Sequence, residues 1–337
     1  MAGRTADSLT FARRLSVAPM MDWTDRHCRY LHRLMCANAL LYTEMVTAAA
    51  VVHGDAERLL AFSPEEQPVA LQLGGSEPAL LAKAVRIAAP YGYPEINLNV
   101  GCPSDRVQSG AFGACLMREP ELVADCAAAM IDASDGAEVT VKCRIGVDEQ
   151  TPEDVLPDFI DKVAVVGVRH FAVHARMAWL DGLSPKENRD IPPLDYDLVK
   201  RQKRRRPDLN ISINGGITSL TAAKAFLEEG LDGVMIGRAA YHDPSAILSP
   251  ADEVIFGTRG GRSPDQAVEA MLPYIEARLS EGARLNQITR HMLTLFQGRP
   301  GARRWRRMLS EFAHKPGAGP EVVLRALAEV APQDEAA

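Results

Sequence analysis

The sequence has few cysteines, no long apolar run and no excess of positive charge, and each absence excludes a class of protein. Its 337 residues contain six cysteines, none of which belongs to a CxxC pair. A structural zinc site or a disulfide framework is therefore not expected, and no metal site is predicted. Unpaired thiols also predict a reducing compartment.

Membrane and signal segments are missing as well. No segment reaches the roughly 20 apolar residues that span a membrane, and the N-terminus has no apolar signal core. We therefore expect a soluble, cytoplasmic protein. With 38 Lys and Arg against 44 Asp and Glu, the net charge is −6, so no global positive field attracts nucleic acid.

What the sequence does contain is a regular alternation of short apolar strands and helix-length segments. The eight predicted strands are Ser16–Met20, Leu40–Met45, Val69–Leu73, Glu95–Val100, Val139–Arg144, His170–Ala175, Ile211–Asn214 and Gly233–Gly237. Such alternation is typical of βα units around a parallel sheet. It predicts an α/β fold, a TIM (β/α)8 barrel over residues 1–250, with a doubly wound open sheet as the alternative. The first strand lacks a following GxGxxG, the usual dinucleotide fingerprint.

After residue 250 the pattern changes to helices only. The predicted helices are Gln266–Ser280, Gln287–Phe296, Ala302–Phe312 and Glu321–Val330. Ser263, Pro264 and Asp265 form a good helix start, because they supply a capping hydroxyl, a proline in the first turn and an acid near the positive dipole end. We expect residues 251–337 to form a small helical domain.

Polar residues occupy one face of several predicted strands, which normally are apolar when both faces are buried. Glu95, Asn97 and Asn99 alternate with apolar residues, and the strand ends in a turn that carries Cys102. The same phase appears in four other strands, which contribute Gln72, Lys142 and Arg144, His174 and Arg176, and Asn214. Any one of these could be a satisfied core polar group, but five strands together predict an active site at the barrel mouth.

Glycines follow the last two strands, where barrels of this kind commonly bind phosphate. Gly215 and Gly216 follow Asn214, and Gly237 precedes Arg238. Simple turn glycines are the alternative for each loop alone. Together with amide and lysine groups from strands three and five, these loops predict flavin mononucleotide (FMN), with Gln72 and Asn99 at the pyrimidine edge of the flavin and Lys142 beside N1–C2=O.

Six segments resemble the tRNA-dihydrouridine synthases, in order and over nearly the whole chain. They are 17–22 (VAPMMD), 71–75 (LQLGG), 97–104 (NLNVGCPS), 141–146 (VKCRIG), 174–176 (HAR) and 214–217 (NGGI). Residues 23–27, 108–117 and 303–307 resemble the A branch of that family.

The resemblance implies an FMN barrel with a helical tRNA-binding domain. It implies NADPH-dependent reduction of D-loop uridines 20 and 20a of tRNA to 5,6-dihydrouridine. The hydride passes from flavin N5 to uracil C6, and Cys102 gives a proton to C5. The implied FMN contacts are Pro19, Met20, Met21, Gln72, Lys142, His174, Asn214, Gly215, Gly216, Gly237 and Arg238.

The target base must turn outward from folded tRNA to reach a flavin. We expect the glycine-rich loop after Cys102 to close over this base, and Asn99, Arg144 and Arg176 to contact the substrate. Candidate tRNA phosphate contacts are Lys186, Arg189, Arg303, Arg306 and Arg307, the last three on one helix face. The basic run 200–206 should lie at the opposite end of the barrel, as a solvated face.

Other functions remain open at this point. An FMN barrel acting on a free pyrimidine, such as a dihydroorotate dehydrogenase-like enzyme, is the nearest rival. A non-catalytic tRNA-binding protein and a phosphate-binding lyase or isomerase are others. We expect a monomer without a protein partner, whereas the choice between NADPH and NADH and the set of tRNAs stay undetermined.

Overall fold

Eight parallel strands close into a barrel in the order in which they occur along the chain. The computed structural model describes residues 2–104 and 112–330. The strands are β1 (Leu15–Val17), β2 (Leu40–Thr47), β3 (Val69–Gly74), β4 (Glu95–Val100), β5 (Glu138–Arg144), β6 (His170–His174), β7 (Asn210–Asn214) and β8 (Gly233–Ile236). Since β8 pairs with β1, the barrel prediction is confirmed and the open-sheet alternative is wrong.

Helices lie between the strands and cover the outer, apolar face of the barrel. They are α2 (Arg26–Met35), α3 (Ala48–His53), α4 (Ala56–Leu60), α5 (Pro78–Ala88), α6 (Pro120–Ala133), α7 (Pro152–Val165), α8 (Tyr196–Arg205) and α9 (Leu220–Glu228). Proline in the first turn marks the start of α5, α6 and α7, because its missing N–H is not needed there.

An N-terminal helix that the sequence analysis did not predict closes the bottom of the barrel. In α1 (Ala2–Arg13), Leu9 and Ala12 are buried against the inward-facing Leu40, Tyr42 and Ala172. The only large apolar residues in the sequence of α1 are Leu9 and Phe11, so its apolar periodicity is weak. Its position depends on the barrel that it plugs.

Between β8 and residue 330, where the description ends, the chain forms seven further helices. They are α10 (Arg238–His242), α11 (Pro244–Ile247), α12 (Ala251–Val254), α13 (Pro264–Ser280), α14 (Leu285–Thr289), α15 (Ala302–Phe312) and α16 (Pro320–Leu327). Helix α13 begins as predicted, with a capping box between Ser263 and Gln266. The three short helices α10, α11 and α12 were not expected.

The predicted helix Gln287–Phe296 is wrong, because α14 ends at Thr289 and turns follow. The backbone carbonyl of Met292 accepts a hydrogen bond from Trp305 Nε1 at 2.9 Å. Arg290 and His291 reach instead to Asp25 at the start of α2. Hydrogen bonds to residues distant in sequence thus take the place of regular α-helical hydrogen bonds in this segment.

One continuous apolar core joins the barrel helices to the C-terminal helices. It includes Leu31 of α2, Met271 of α13 and the fully buried Trp305 of α15. Helix α13 packs directly against α2. Within the described residues, no helix has the length and apolar character required to cross a membrane.

Candidate active site

A cavity of about 710 Å³ opens at the carboxyl ends of the barrel strands. This volume is typical of a cofactor or ligand site. Fifteen residues predicted for the site line it: Pro19, Met20, Met21, Gln72, Asn99, Cys102, Lys142, Arg144, His174, Arg189, Asn214, Gly215, Gly216, Gly237 and Arg238. Arg176, Lys186, Arg303, Arg306 and Arg307 do not belong to the lining.

A chain of hydrogen bonds runs up the inside of the barrel to this cavity. We call it the interior relay, formed by Glu95, Thr140, Asn97, Gln72 and Asn99. Thr140 Oγ1 donates to Glu95 at 2.7 Å, and Asn97 Nδ2 donates to Thr140 at 2.8 Å. Gln72 Nε2 donates to Asn97 Oδ1, and Asn99 Nδ2 donates to Gln72 Oε1, each at 2.8 Å. The upper end of the relay lies in the cavity wall.

The turn that carries Cys102 is held from several sides. Asn99 Oδ1 accepts hydrogen bonds from the backbone N–H groups of Gly101 and Cys102, both at 3.0 Å. The Cys102 carbonyl accepts from Ala114 N at 2.9 Å. The thiol is partly exposed to the cavity and lies 3.4 Å from Ser104 Oγ. Cys28, Cys36, Cys126 and Cys143 are buried, as expected of structural thiols.

Positive groups surround the thiol. Burial, and then Arg144, lowers the pKa of the Lys142 amine to about 8. Burial is also the main reason that the pKa of Arg144 falls to about 9. Burial, with Arg144 and Lys142 nearby, holds the pKa of His174 well below its ordinary value, so its imidazole is neutral at pH 7. The cavity therefore favours an anion beside Lys142 and a neutral ring at His174.

Three predicted ligand contacts have protein partners in the structure. Arg144, 3% exposed, donates to the backbone carbonyls of Gly101 and Asn188, at 3.1 and 2.8 Å. Arg176 donates to the Pro192 carbonyl. Arg238 pairs with Asp190 at 2.8 Å on the cavity rim. Arg144 and Arg238 line the cavity and Arg176 does not, and the hydrogen bonds and ion pair of these three side chains hold loops in place.

Two glycines after β7, which we call the glycine cradle, have neighbours packed so closely against them that no space remains for a Cβ. Gly215 has φ +111°, and a Cβ there would lie 2.5 Å from the His174 ring. Gly216 has φ +67°, and a Cβ there would lie 2.6 Å from Leu194. Gly237 is less restricted, since a Cβ would make only ordinary contact with Ala18 and Met20. The first two positions require glycine for both backbone and space.

Sequence reasoning did not assign a role to the aromatic rim of the cavity. Trp23 and His242 line it, and Trp23 stacks on Tyr241 with ring centroids 4.7 Å apart. Trp23 belongs to the segment 23–27, whose resemblance to the A branch could have indicated that it lies at the site. Asp25, next to this rim, accepts hydrogen bonds from Arg290 at 2.6 Å and His291 at 3.0 Å.

The candidate RNA contacts differ in their surroundings. Arg303 and Arg306 are exposed on α15, whereas Arg307 pairs with Glu311 at 2.8 Å. Lys186 is exposed beside the cavity. In the run 200–206, five cations pair with carboxylates: Lys200, Arg201, Lys203, Arg205 and Arg206. This favours the interpretation of the run as a solvated face.

Part of the predicted loop over the base lies outside the described residues, namely 105–111. The described remainder forms a 3-10 helix at Gly113–Arg118, preceded by Phe112. Phe112 packs so closely on Gly74 that a Cβ at Gly74 would lie 2.7 Å from its ring.

Comparison with known proteins places this site in a family. The sequence model of the dihydrouridine synthase (Dus) family matches residues 16–331. The chain belongs to the dihydrouridine synthase family. This confirms the resemblance found in the sequence, and family membership implies a flavin cofactor.

Close relatives carry a more specific name. The tRNA-dihydrouridine(20/20a) synthase of Shewanella oneidensis is 61% identical over 318 residues, 94% of each chain. The enzyme of the same name from Escherichia coli O6:H1 is 59% identical over 322 residues, 95% of this chain and 96% of its own.

Solved structures share the barrel at low sequence identity. An old yellow enzyme homologue from Zymomonas mobilis has a TM-score of 0.53 at 13% identity, covering 74% of this chain and 90% of its own. Morphinone reductase has a TM-score of 0.50 at 11% identity, covering 75% of this chain and 88% of its own. At these identities the likeness concerns the fold alone.

Proposed function

We propose that this protein is a tRNA-dihydrouridine(20/20a) synthase that uses FMN and NADPH. The observation that carries the proposal is the pair of full-length relatives of that name, at 59% and 61% identity. The motif residues of the sequence also meet in one cavity, with Cys102 at its wall. We further propose that residues 1–250 are the catalytic unit and 251–337 the tRNA-binding unit of a cytoplasmic monomer.

The cavity fits a flavin with a phosphate. Gly215 and Gly216 line the cavity, so a ligand there can approach their backbone without meeting a side chain of either residue, and Gln72 presents an amide from the floor. The ammonium group of Lys142 would stabilise the negative charge of a reduced flavin. FMN reduced by NADPH supplies the hydride that saturates the uracil C5–C6 bond.

Cys102 supplies the proton for uracil C5. Its S–H bond breaks as the C5–H bond forms, which leaves a thiolate at Sγ. Arg144, Arg189 and Lys142 interact electrostatically with this sulfur, and they stabilise the thiolate. Solvent then returns a proton to the thiolate for the next turnover.

We expect Cys102→Ala to keep flavin binding and NADPH oxidation while dihydrouridine formation falls at least 100-fold, since general acid catalysis contributes about 10²–10⁴-fold. The measurement is site-by-site mapping of dihydrouridine in tRNA, which also separates positions 20 and 20a. Cys115→Ala removes another partly exposed thiol and is the matched control. Full tRNA reduction by Cys102→Ala would exclude the assigned role.

The same preparation separates the rival functions. Turnover of free uridine or dihydroorotate, without turnover of tRNA, would favour a small-molecule reductase. A colourless protein that binds tRNA would favour a non-catalytic binding role.

A further inference from the structure

The interior relay connects the cavity to an ion pair at the opposite end of the barrel. Arg13, the last residue of α1, bonds Glu95 Oε2 through Nε and Nη2, at 2.8 and 2.7 Å. Tyr42 donates its hydroxyl to the other oxygen, Oε1, which also accepts from Thr140. Glu95 is fully buried, and Arg13 is 3% exposed. A charged pair is therefore enclosed beneath the site.

The ion pair keeps Glu95 ionised. Burial alone raises the pKa of the carboxyl, but Arg13 first, then His170 and Thr140, and least of all Tyr42, outweigh burial and bring the pKa below its ordinary value. An ionised carboxylate can only accept hydrogen bonds. The Thr140 hydroxyl must then donate to Glu95, and it has no second proton to give.

This constraint passes upward through the amides. Because Thr140 can only accept from above, Asn97 must turn its NH2 group toward it and its oxygen toward Gln72. Gln72 must then turn its NH2 group toward Asn97 and its oxygen toward Asn99. The observed donors and acceptors follow this order at every step.

The upper end of the relay imposes the same polarity. Asn99 turns its oxygen toward the backbone N–H groups of Gly101 and Cys102, which can only donate. One reversed amide would bring two NH2 groups or two oxygens face to face inside the barrel, at a cost of about 1–3 kcal/mol for each unsatisfied group. The two ends thus select a single orientation for all three amides.

We propose that Glu95 is a positioning residue for the reaction, acting through Thr140 and Asn97 to orient the amides of Gln72 and Asn99 and to hold the Cys102 turn. This inference rests on the proposed function for its catalytic meaning. Its structural content, a fixed turn at Cys102 and fixed donors in the cavity, stands independently of that function.

Two substitutions test the proposal, and each removes a hydroxyl that donates to Oε1 of Glu95. Thr140→Val breaks the relay, and Tyr42→Phe removes a hydrogen bond to Glu95 that is not part of it. The readout is amide hydrogen exchange at Gly101 and Cys102 in the full-length protein. We expect exchange at these amides to rise about fivefold or more in Thr140→Val, the loss of roughly one hydrogen bond, and to stay unchanged in Tyr42→Phe.

Glu95→Gln removes the charge itself and should raise the same exchange, with Glu66→Gln as its control. Glu66 is equally buried and pairs with Arg29 at 2.8 Å, but it lies outside the barrel interior. If Glu95→Gln fails to fold, the Thr140 and Tyr42 pair still decides the question. Unchanged exchange in Thr140→Val, or an equal rise in Tyr42→Phe, would overturn the proposal.

A catalytic readout separates this inference from the proposed function. In flavin-loaded protein, we expect dihydrouridine formation to fall about tenfold in Thr140→Val and to remain near the starting value in Tyr42→Phe. If the unsubstituted protein does not reduce tRNA, the proposed function fails, whereas the exchange result still tests the relay.

Discussion

Gly215 shows how a single residue can determine both the backbone and the space of the site. Its φ of +111° is unfavourable for any residue with a Cβ, and the space that a Cβ would occupy is taken by His174 and Leu194. Tyr196 donates to its carbonyl at 2.6 Å, which holds the cradle from the outside. Because Gly215 has no side chain, the neutral His174 ring can occupy the space beside its Cα.

We expect Gly215→Ala to displace the His174 ring, to lower the free energy of unfolding by about 2–4 kcal/mol and to weaken flavin binding at least tenfold. The expected loss combines backbone strain with overpacking. Thermal unfolding and flavin titration measure the two effects.

Gly230→Ala is the matched control, because Gly230 has φ +96° and open space around it. It should lose only about 1 kcal/mol and keep its flavin affinity. Equal flavin affinity in both variants would contradict this explanation of the cradle.

At the scale of elements, the start of α2 joins the barrel to the C-terminal helices. Asp25 caps α2 by accepting from the backbone N–H groups of His27 and Cys28. The same carboxylate accepts from Arg290 and His291, which follow α14. Trp23, two residues away, lines the cavity. The attachment of the helical region therefore lies directly beside the active-site rim.

We expect Asp25→Asn to lower the free energy of unfolding by about 1–2 kcal/mol at pH 7, because a charged partner of Arg290 is lost while the cap is kept. Burial by itself raises the pKa of Asp25, but His291, Cys28 N–H and Arg290 together lower it well below its ordinary value of 3.8. A lowered pKa stabilises the fold above about pH 4, and this contribution is lost as the pH falls further.

The difference in stability between Asp25→Asn and the unsubstituted protein should therefore be smaller at pH 3 than at pH 7. Denaturant unfolding at both pH values measures it. Asp195→Asn changes a simple cap of α8, which accepts from Leu198 N–H, and should have little effect. A penalty for Asp25→Asn that grows toward pH 3 would contradict the assignment.

At the scale of the whole molecule, the two ends of the barrel carry different kinds of positive charge. At the strand carboxyl ends, Arg189 and Lys186 are exposed beside the cavity. Near the barrel bottom, Arg205 and Arg206 both pair with Asp161. Paired surface cations contribute little to binding of a polyanion, because their field is already compensated locally. The net charge of −6 hides this asymmetry.

We expect the double substitution Arg303→Ala and Arg306→Ala to weaken tRNA binding and to reduce the slope of log K against log salt concentration by about 2. Filter binding or fluorescence titration across a salt series measures both. Arg205→Ala with Arg206→Ala removes the same charge from the paired face and should leave the slope unchanged. An equal effect of the two double substitutions would show that only net charge matters.

How much of the site could be predicted depended on the range of the interactions. Strand periodicity indicates which residues point inward, and Gln72, Asn99, Lys142 and His174, which share that orientation, line one cavity. The partners of Arg144 and Arg238 were not expected, because they are loop groups 44 and 48 residues away. The end of α14 was misjudged for the same reason, since Asp25 lies 265 residues from Arg290.

The sequence by itself determined the barrel, the family and the place of Cys102 at the end of a polar strand. These follow from local periodicity, from motif spacing and from glycines whose role is set by the backbone. The tertiary structure decided which charges are partnered and in which direction the interior relay points. The direction of a buried series of hydrogen bonds is fixed only when the group at one end can only accept and the groups at the other end can only donate. That closure joins Arg13 of α1 to the turn of Cys102 through the enclosed interior of the barrel.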